Sequence, residues 1–426
     1  MARLDHSSPF RSGPLTDLIE QNVLHAGLDR VLCTVRRHLG MDVAFISRFR
    51  EVDRVFEHVD ADGFAPIQRG DVLSLEEGYC LKVIRGELPG CIPDTSRLPA
   101  AMLIPATRDI PIGAHLSVPI QLESGTVYGT LCCFSRASDP TIGERDMALM
   151  HAFADVIGAR VDEAVAADAV HRHDVHEIRH AMASGAPRMV YQPIYDLSRQ
   201  RMRGVESLAR FDLPPARGPD RWFDMAERVG LGAELELKAI ARALPALDLL
   251  PPPMFLCVNA SPSLVYAGEF HAVLDHRDVS RLVVEITEHV TVTDYTELCA
   301  ALKPLRERGL RVAVDDAGAG FASMRHILDI EPSMIKLDMS LTRDIDTDDR
   351  RRALAKGLIA FAHEIGCFIS AEGVETDGEL GMLGALGVDM AQGYFLDRPL
   401  PLDDLLARLP MPGMPAPVSA RSLQYP

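Results

Sequence analysis

Apolar and polar positions alternate along this chain in two regimes. The first regime runs to about residue 184. Residues 15–38 place apolar side chains at helical spacing, and residues 41–49 read as a strand. Further strand-like runs lie at 55–59, 114–122 and 126–135, the last two joined by Glu123-Ser124-Gly125, a hairpin signal. Residues 143–184 then read as one continuous helix without proline, ended by Gly185-Ala186-Pro187. Its first half, through Met147, Met150, Phe153 and Ile157, is expected to pack on the N-terminal sheet, and its second half is more polar. These elements predict a small α+β sensor module over 15–165, a connecting helix over 166–186, and a second domain beyond.

The second regime has eight strand-like runs: 189–197, 202–211, 254–260, 281–287, 311–316, 334–339, 368–373 and 390–396. Helical patterns separate the later ones, at 298–308, 351–365 and 378–386. Strands alternating with helices call for a parallel sheet, and eight of them suggest a closed (β/α)8 barrel over 187–410. Only Ser198-Arg199-Gln200-Arg201 separates the first two strands, too short for a parallel crossover, so that pair should be antiparallel. The tail, 411–426, is proline-rich and reads as disordered.

The candidate chemistry sits where seven of these runs end: Glu206, Asn259, Glu285, Asp315 with Asp316, Lys336, Glu372 and Gln392. In such a barrel the C-terminal strand ends form the active face. Five of these residues are carboxylates and Asn259 adds an amide oxygen, an oxygen set suited to Mg²⁺ or Mn²⁺ rather than zinc. Asp315-Asp316 is the most telling pair, because adjacent carboxylates repel unless cations sit beside them. A shared acid permits two metals ~3.5–4 Å apart, the arrangement used in phosphoryl transfer. Lys336 would then hold the attacking water or offset phosphate charge, and Glu372 would complete a metal site or accept the water's proton. The glycines of Asp316-Ala317-Gly318-Ala319-Gly320-Phe321 suggest a mobile loop over the site.

Composition narrows the partners. The chain of 426 residues is 47% hydrophobic and 25% charged, with a formal charge of −17. That balance describes a globular protein and argues against a nucleic-acid partner. No run approaches the ~20 apolar residues needed to span a bilayer, and the N-terminus lacks a signal-peptide pattern. A cytoplasmic location without membrane attachment is expected. The eight cysteines show no zinc-type pairing and read as reduced core thiols; for Cys80 a redox or chromophore role is the sharper alternative. His173, His176 and His180 share a helix face but have no acid or cysteine to complete a metal shell.

The motifs Tyr191-Gln192-Pro193-Ile194, Glu206-Ser207-Leu208-Ala209-Arg210, Val258-Asn259, Glu285-Ile286-Thr287-Glu288, Asp315-Asp316, Ile335-Lys336-Leu337-Asp338, Ala371-Glu372-Gly373-Val374-Glu375 and Gln392-Gly393-Tyr394 together resemble the EAL family of cyclic di-GMP phosphodiesterases. The resemblance implies a TIM-like barrel that hydrolyses cyclic di-GMP to linear pGpG with two Mg²⁺ or Mn²⁺ ions, as a homodimer. It implies that Glu206, Asn259, Glu285 and Asp315 bind one metal, and that Asp315, Asp316 and Glu372 serve the other. Lys336, Glu372, Glu206 and Asp316 would be catalytic. Gln192, Leu208, Arg210, Asp338 and Gln392 would meet substrate or support the site. Glu288, Gly318 and Gly320 belong to the loop after the paired acids, and Glu375 to a supporting position. Two departures stand out: Ser207 replaces the alanine that names the family, and Ala317 replaces a phenylalanine, which is expected to loosen the loop. Residues 20–165, with Gly78-Tyr79-Cys80 and Ile92-Pro93-Asp94-Thr95, resemble a GAF sensor domain, implying an unidentified small-molecule ligand and control of turnover. The alternative is a receptor that binds cyclic di-GMP without cutting it.

Overall fold

The computed structural model describes residues 15–287, 295–317 and 323–409. Glu288, Gly318, Gly320 and the 411–426 tail lie outside the described residues. The chain divides into two units, residues 1–173 and 174–426.

In the first unit, β1 (Val43–Phe49), β2 (Asp53–Ala61), β3 (Val72–Ser74), β4 (Cys91–Ile92), β5 (Ala114–Gln121) and β6 (Val127–Ser135) form an antiparallel sheet in the order β3-β2-β1-β6-β5-β4. Strand alternation gives this sheet two buried faces. Leu131 and Cys133 of β6 point to the side packed by Leu32 and Val35 of the helix Leu15–Leu39 and by Met150 and Ile157 of the helix Glu144–Ala183. Cys132 and Phe134 point to the other side, against Phe45, Phe56, Tyr79, Cys80 and Ile104. The adjacent cysteines therefore lie in different cores, as alternation requires.

The second unit is a closed barrel of β7 (Arg188–Asp196), β8 (Arg201–Arg210), β9 (Phe255–Asn259), β10 (Leu282–Thr287), β11 (Arg311–Ala317), β12 (Met334–Leu337), β13 (Phe368–Ala371) and β14 (Met390–Ala391). β7 runs antiparallel to both neighbours, β8 and β14, and the remaining pairs are parallel. The barrel is therefore TIM-like with one reversed strand, its first. Outward-facing Val284, Val312, Val314, Ile335 and Ile369 are buried in the large outer core, which is why these strands read as nearly unbroken apolar runs. Inward-facing Ile194, Phe255, Cys257, Val283, Ala313, Met334 and Met390 fill the floor. Gly204 is part of that packing: a Cβ there would lie 2.4 Å from the Phe255 ring.

The strands end earlier than the apolar pattern suggests. β12 stops at Leu337 because Asp338 caps the helix Met339–Thr342. β14 has two residues where the sequence predicts seven. Beyond it the chain folds back on the segment after β13, with Val374 donating to the Gln392 carbonyl and Phe395 to that of Val374. Gly393 permits this approach, since a Cβ would meet Val374 backbone atoms at 2.2 Å. The helices Pro219–Arg228, Gly232–Ala243 and Pro245–Leu249, between β8 and β9, are absent from the sequence reading. Among the described residues no helix is long and apolar enough to cross a membrane.

Candidate metal centre at the barrel mouth

The barrel floor and the site above it are consecutive steps of one alternation. Two residues beyond the last inward residue of the floor on each parallel strand, the strand or the residue just after it presents a polar side chain on the same face. Cys257 leads to Asn259, Val283 to Glu285, Ala313 to Asp315, Met334 to Lys336, Ser370 to Glu372 and Met390 to Gln392. Gly204 leads likewise to Glu206. In the reversed strand β7 the order inverts, so Gln192 precedes Ile194, and Gln192 pairs with Glu206 across the β7–β8 ladder.

These side chains converge. The Lys336 ammonium, 1% exposed, lies 2.5 Å from Glu372 Oε1, 2.9 Å from Glu285 Oε2, 3.0 Å from Asp315 Oδ1 and 3.4 Å from Glu206 Oε1. Gln392 Nε2 donates to Glu206 Oε2 at 2.6 Å and to Glu372 Oε1 at 3.2 Å, tying opposite sides of the cluster together. Four ionised carboxylates around one ammonium would leave three negative charges unbalanced in a buried place. The protonation equilibria respond accordingly. Burial, and then the charges of neighbouring acids, push Glu285 and Glu372 well above the usual carboxylate range, against the pull of Lys336. Burial also opposes ionisation of Glu206, but the Lys336 charge and the Gln392 hydrogen bond prevail and lower it. Lys336 loses hydration yet is raised, because Asp315, Glu206, Glu285 and Glu372 surround it.

Asp316 reaches the same mouth by a backbone irregularity. In a regular strand Asp315 and Asp316 would face opposite sides. The β11–β12 register shifts between Val314 and Ala317, and Asp316 adopts φ +56°, the left-handed region. The bulge turns both carboxylates to one side. Carboxylate oxygens of Glu206, Glu285 and Asp315 lie within 4.8 Å of one another, and so do those of Asp315, Asp316 and Glu372, with Asp315 common to both groups. This is an all-oxygen donor set of the kind that holds hard divalent cations. Glu285 Oε1 and Asp315 Oδ1 are buried without a hydrogen-bond partner, Asp315 Oδ1 being near the lysine but out of line for one. Unsatisfied buried carboxylate oxygens are costly, and a divalent cation would satisfy them. The residues present therefore fit the ions that the fold family implies.

The remaining site residues divide. Asn259 ends β9 beside Glu285 and is exposed. Leu208 and Arg210 continue the Glu206 face of β8 and are half-buried, with Arg210 Nη1 donating to the Ala209 carbonyl. Gln192 donates to the Asp397 carbonyl at 3.2 Å. Asp338 spends one oxygen on the Ser340 N–H. Glu375 is exposed and pairs with Arg343 at 2.7 Å, away from the lysine cluster.

Two acids missed by the sequence reading position this layer. Glu379, 3% exposed, accepts from the N–H groups of Asp344, Glu375 and Thr376 and so pins the segment that follows Glu372. Thr376 and Glu379 form a reciprocal capping box, a signal present in the sequence. Glu236 accepts from the Ser261 N–H at 2.8 Å, just beyond Asn259, and comes from a helix the apolar pattern did not reveal.

The two departures are both buried. The Ser207 hydroxyl donates to the Cys257 carbonyl of β9 at 2.8 Å, on the face opposite Glu206. Ser207→Ala should cost about 0.5–1.5 kcal/mol in chemical denaturation, the value of one such hydrogen bond, and leave divalent-ion affinity unchanged. Ala317 is fully buried in the outer core beside Leu337. Ala317→Phe should therefore lower stability by about 1–3 kcal/mol through overpacking, measured the same way, instead of tightening the loop as the sequence suggests.

Known proteins resemble this chain over both of its units. The EAL domain model matches residues 175–399 and the GAF domain model residues 23–161. A protein of Pseudomonas aeruginosa named as a cyclic di-GMP phosphodiesterase is 32% identical over 234 residues, 52% of this chain and 40% of that protein. The chain thus spans less than half the length of this curated relative. The solved structure described as PaMucR phosphodiesterase in complex with c-di-GMP matches 55% of this chain and 99% of its own, at 26% identity and a TM-score of 0.50. The EAL enzyme Bd1971, solved with cAMP and cyclic di-GMP bound, matches 86% of this chain and 93% of its own, at a TM-score of 0.55; at 17% identity the likeness is one of fold.

Proposed function

The chain belongs to the EAL domain family, and from that membership we propose that it cleaves one phosphodiester bond of cyclic di-GMP to give pGpG, at the barrel mouth. The observation that carries the proposal is the pair of carboxylate groups that share Asp315 around a buried lysine. Glu206, Asn259, Glu285 and Asp315 would hold one Mg²⁺ or Mn²⁺, and Asp315, Asp316 and Glu372 the other. Such ions stabilise the attacking and leaving oxygens of an in-line displacement.

The chain's own residues do the rest. Lys336, held protonated by its acids, donates hydrogen bonds and offsets charge; it does not act as a base. Glu372 would be the acid to take the water's proton, through the carboxylate oxygen not engaged by an ion, since its side chain keeps partial access to solvent beside Lys336. Gln392 orients Glu206 and Glu372 together. Gln192, Leu208 and Arg210 flank the mouth on the reversed strand and its partner, where a dinucleotide would lie. The same reading makes the protein a cytoplasmic homodimer whose GAF domain adjusts turnover.

The test is direct. Full-length protein incubated with cyclic di-GMP and Mn²⁺ should yield pGpG on chromatography, and an excess of chelator should abolish the product. Bound but uncut cyclic di-GMP would favour the receptor reading, and neither binding nor product would overturn both.

A further inference from the structure

The GAF unit buries an arginine for which the proposed reaction has no use. Arg54, on β2, is 4% exposed. Among the described residues no carboxylate pairs with it, although buried guanidinium groups ordinarily require a counter-charge. Its Nη1 instead points at Cys80 Sγ, 2.6 Å away, and its Nε has no hydrogen-bond partner. There is little room for another anion, because a Cβ on Gly78 would lie 2.1 Å from Arg54 Nη2. His115, stacked on Tyr79, cannot serve, because an imidazole is either neutral or positive; burial and then the Arg54 charge lower it to about 3, so it adds no second cation. Cys80 is thus the available counter-ion. The hydrogen bond from Cys132, assisted by the Arg54 charge and by Thr130 and Ser47, outweighs burial and holds the Cys80 thiol at about 5.

A second thiol adjoins it. Cys132 Sγ lies 3.5 Å from Cys80 Sγ, and the Ser117 hydroxyl lies 3.1 Å from Cys132 Sγ. Cys132 itself is pushed well up by burial and then by its hydrogen bond to Cys80. The pair therefore comprises one thiolate beside a cation and one protonated partner within about 1.5 Å of disulfide distance. Cys133 is a built-in control, since it faces the other core and burial raises its thiol.

We propose that Cys80 and Cys132 are a redox pair that a peroxide converts to a reversible intramolecular disulfide. The Cys80 thiolate attacks a peroxide oxygen, the O–O bond breaks, hydroxide leaves, and Cys80 becomes a sulfenic acid. The Cys132 sulfur then attacks Cys80 sulfur, its proton leaves with the hydroxyl as water, and the S–S bond forms. Two electrons pass from the sulfurs to the peroxide. The disulfide removes the thiolate and leaves Arg54 buried without a counter-charge, which destabilises the packing of the helix Tyr79–Ile84. That six-residue helix has no side-chain hydrogen bond at its N-cap, so local opening there can admit a small oxidant.

The experiment treats full-length reduced protein with hydrogen peroxide, quenches by alkylation, and maps peptides by mass spectrometry. A Cys80–Cys132 cross-link that dithiothreitol reverses, with Cys133 still reduced, is the expected result. In Cys132→Ser, Cys80 should accumulate as a sulfenic acid that dimedone traps. Arg54→Gln should slow Cys80 oxidation roughly tenfold or more, by loss of thiolate character. Should that variant fail to fold, the contrast between Cys80 and Cys133 in the unaltered protein decides. Equal, slow oxidation of Cys80 and Cys133, or a cross-link between other cysteines, would overturn the proposal.

Discussion

Replacing Lys336 with methionine should cost the metal-free barrel about 3–5 kcal/mol in urea unfolding, the penalty for stripping the counter-charge from buried acids. Four carboxylates would then face one another with side chains at most 17% exposed. Mn²⁺ should restore much of that loss, because a divalent ion supplies the missing positive charge. The pH dependence has a definite sign. Glu285 and Glu372 are already raised with Lys336 in place, and loss of its charge raises them further and removes the main pull that lowers Glu206. The folded form then binds protons more tightly, so the variant's deficit shrinks below the unfolded carboxylate range and grows as pH rises through the folded values. Turnover should fall about 10²–10³-fold even with Mn²⁺ saturating, as expected for loss of one preorganised charge at a phosphoryl site. A variant as stable as wild type in chelator would mean that the lysine does not balance the acids.

Asp316→Asn should separate fold from chemistry. Asparagine tolerates the left-handed backbone at φ +56° as well as aspartate does, so the bulge should persist and circular dichroism should be unchanged. The carboxylate belongs to the group formed with Asp315 and Glu372 but not to the group formed with Glu206 and Glu285. Calorimetric titration should therefore show loss of the weaker of two Mn²⁺ binding events, and turnover should drop about 10²–10³-fold. Wild-type rates in this variant would refute a role for the second acid group.

Much of this was legible in the sequence because the barrel obeys a period of two. Once the strand runs are located, alternation alone puts Glu206, Glu285, Asp315, Lys336 and Gln392 on one inner layer, and the structure brings all five together. The short link at 198–201 likewise announced the reversed strand. What alternation could not announce is what breaks it. Nothing in the apolar pattern says that Asp316 turns left-handed and joins Asp315 at the mouth. Nor does it say that β14 stops after Ala391, which depends on Gly393 meeting Val374 from a distant part of the chain. Two of the helices between β8 and β9 were obscured by their prolines, Pro219 and Pro245, which stand at first-turn positions. Arg54 was hidden for a related reason: a charged residue near the end of a strand reads as solvent-facing, and its burial rests on contacts with Cys80 and with the face of the Phe56 ring.

The central claim is that oxygen donors from separate strands hold two divalent ions that share Asp315. A crystal of the full chain grown with Mn²⁺ and cyclic di-GMP, and examined by anomalous diffraction, tests this most directly. Two anomalous peaks ~3.5–4 Å apart, one among Glu206, Glu285 and Asp315 and the other among Asp315, Asp316 and Glu372, are the predicted result. A map with no peak at these residues, or with Lys336 still paired to all four acids at saturating Mn²⁺, would contradict it.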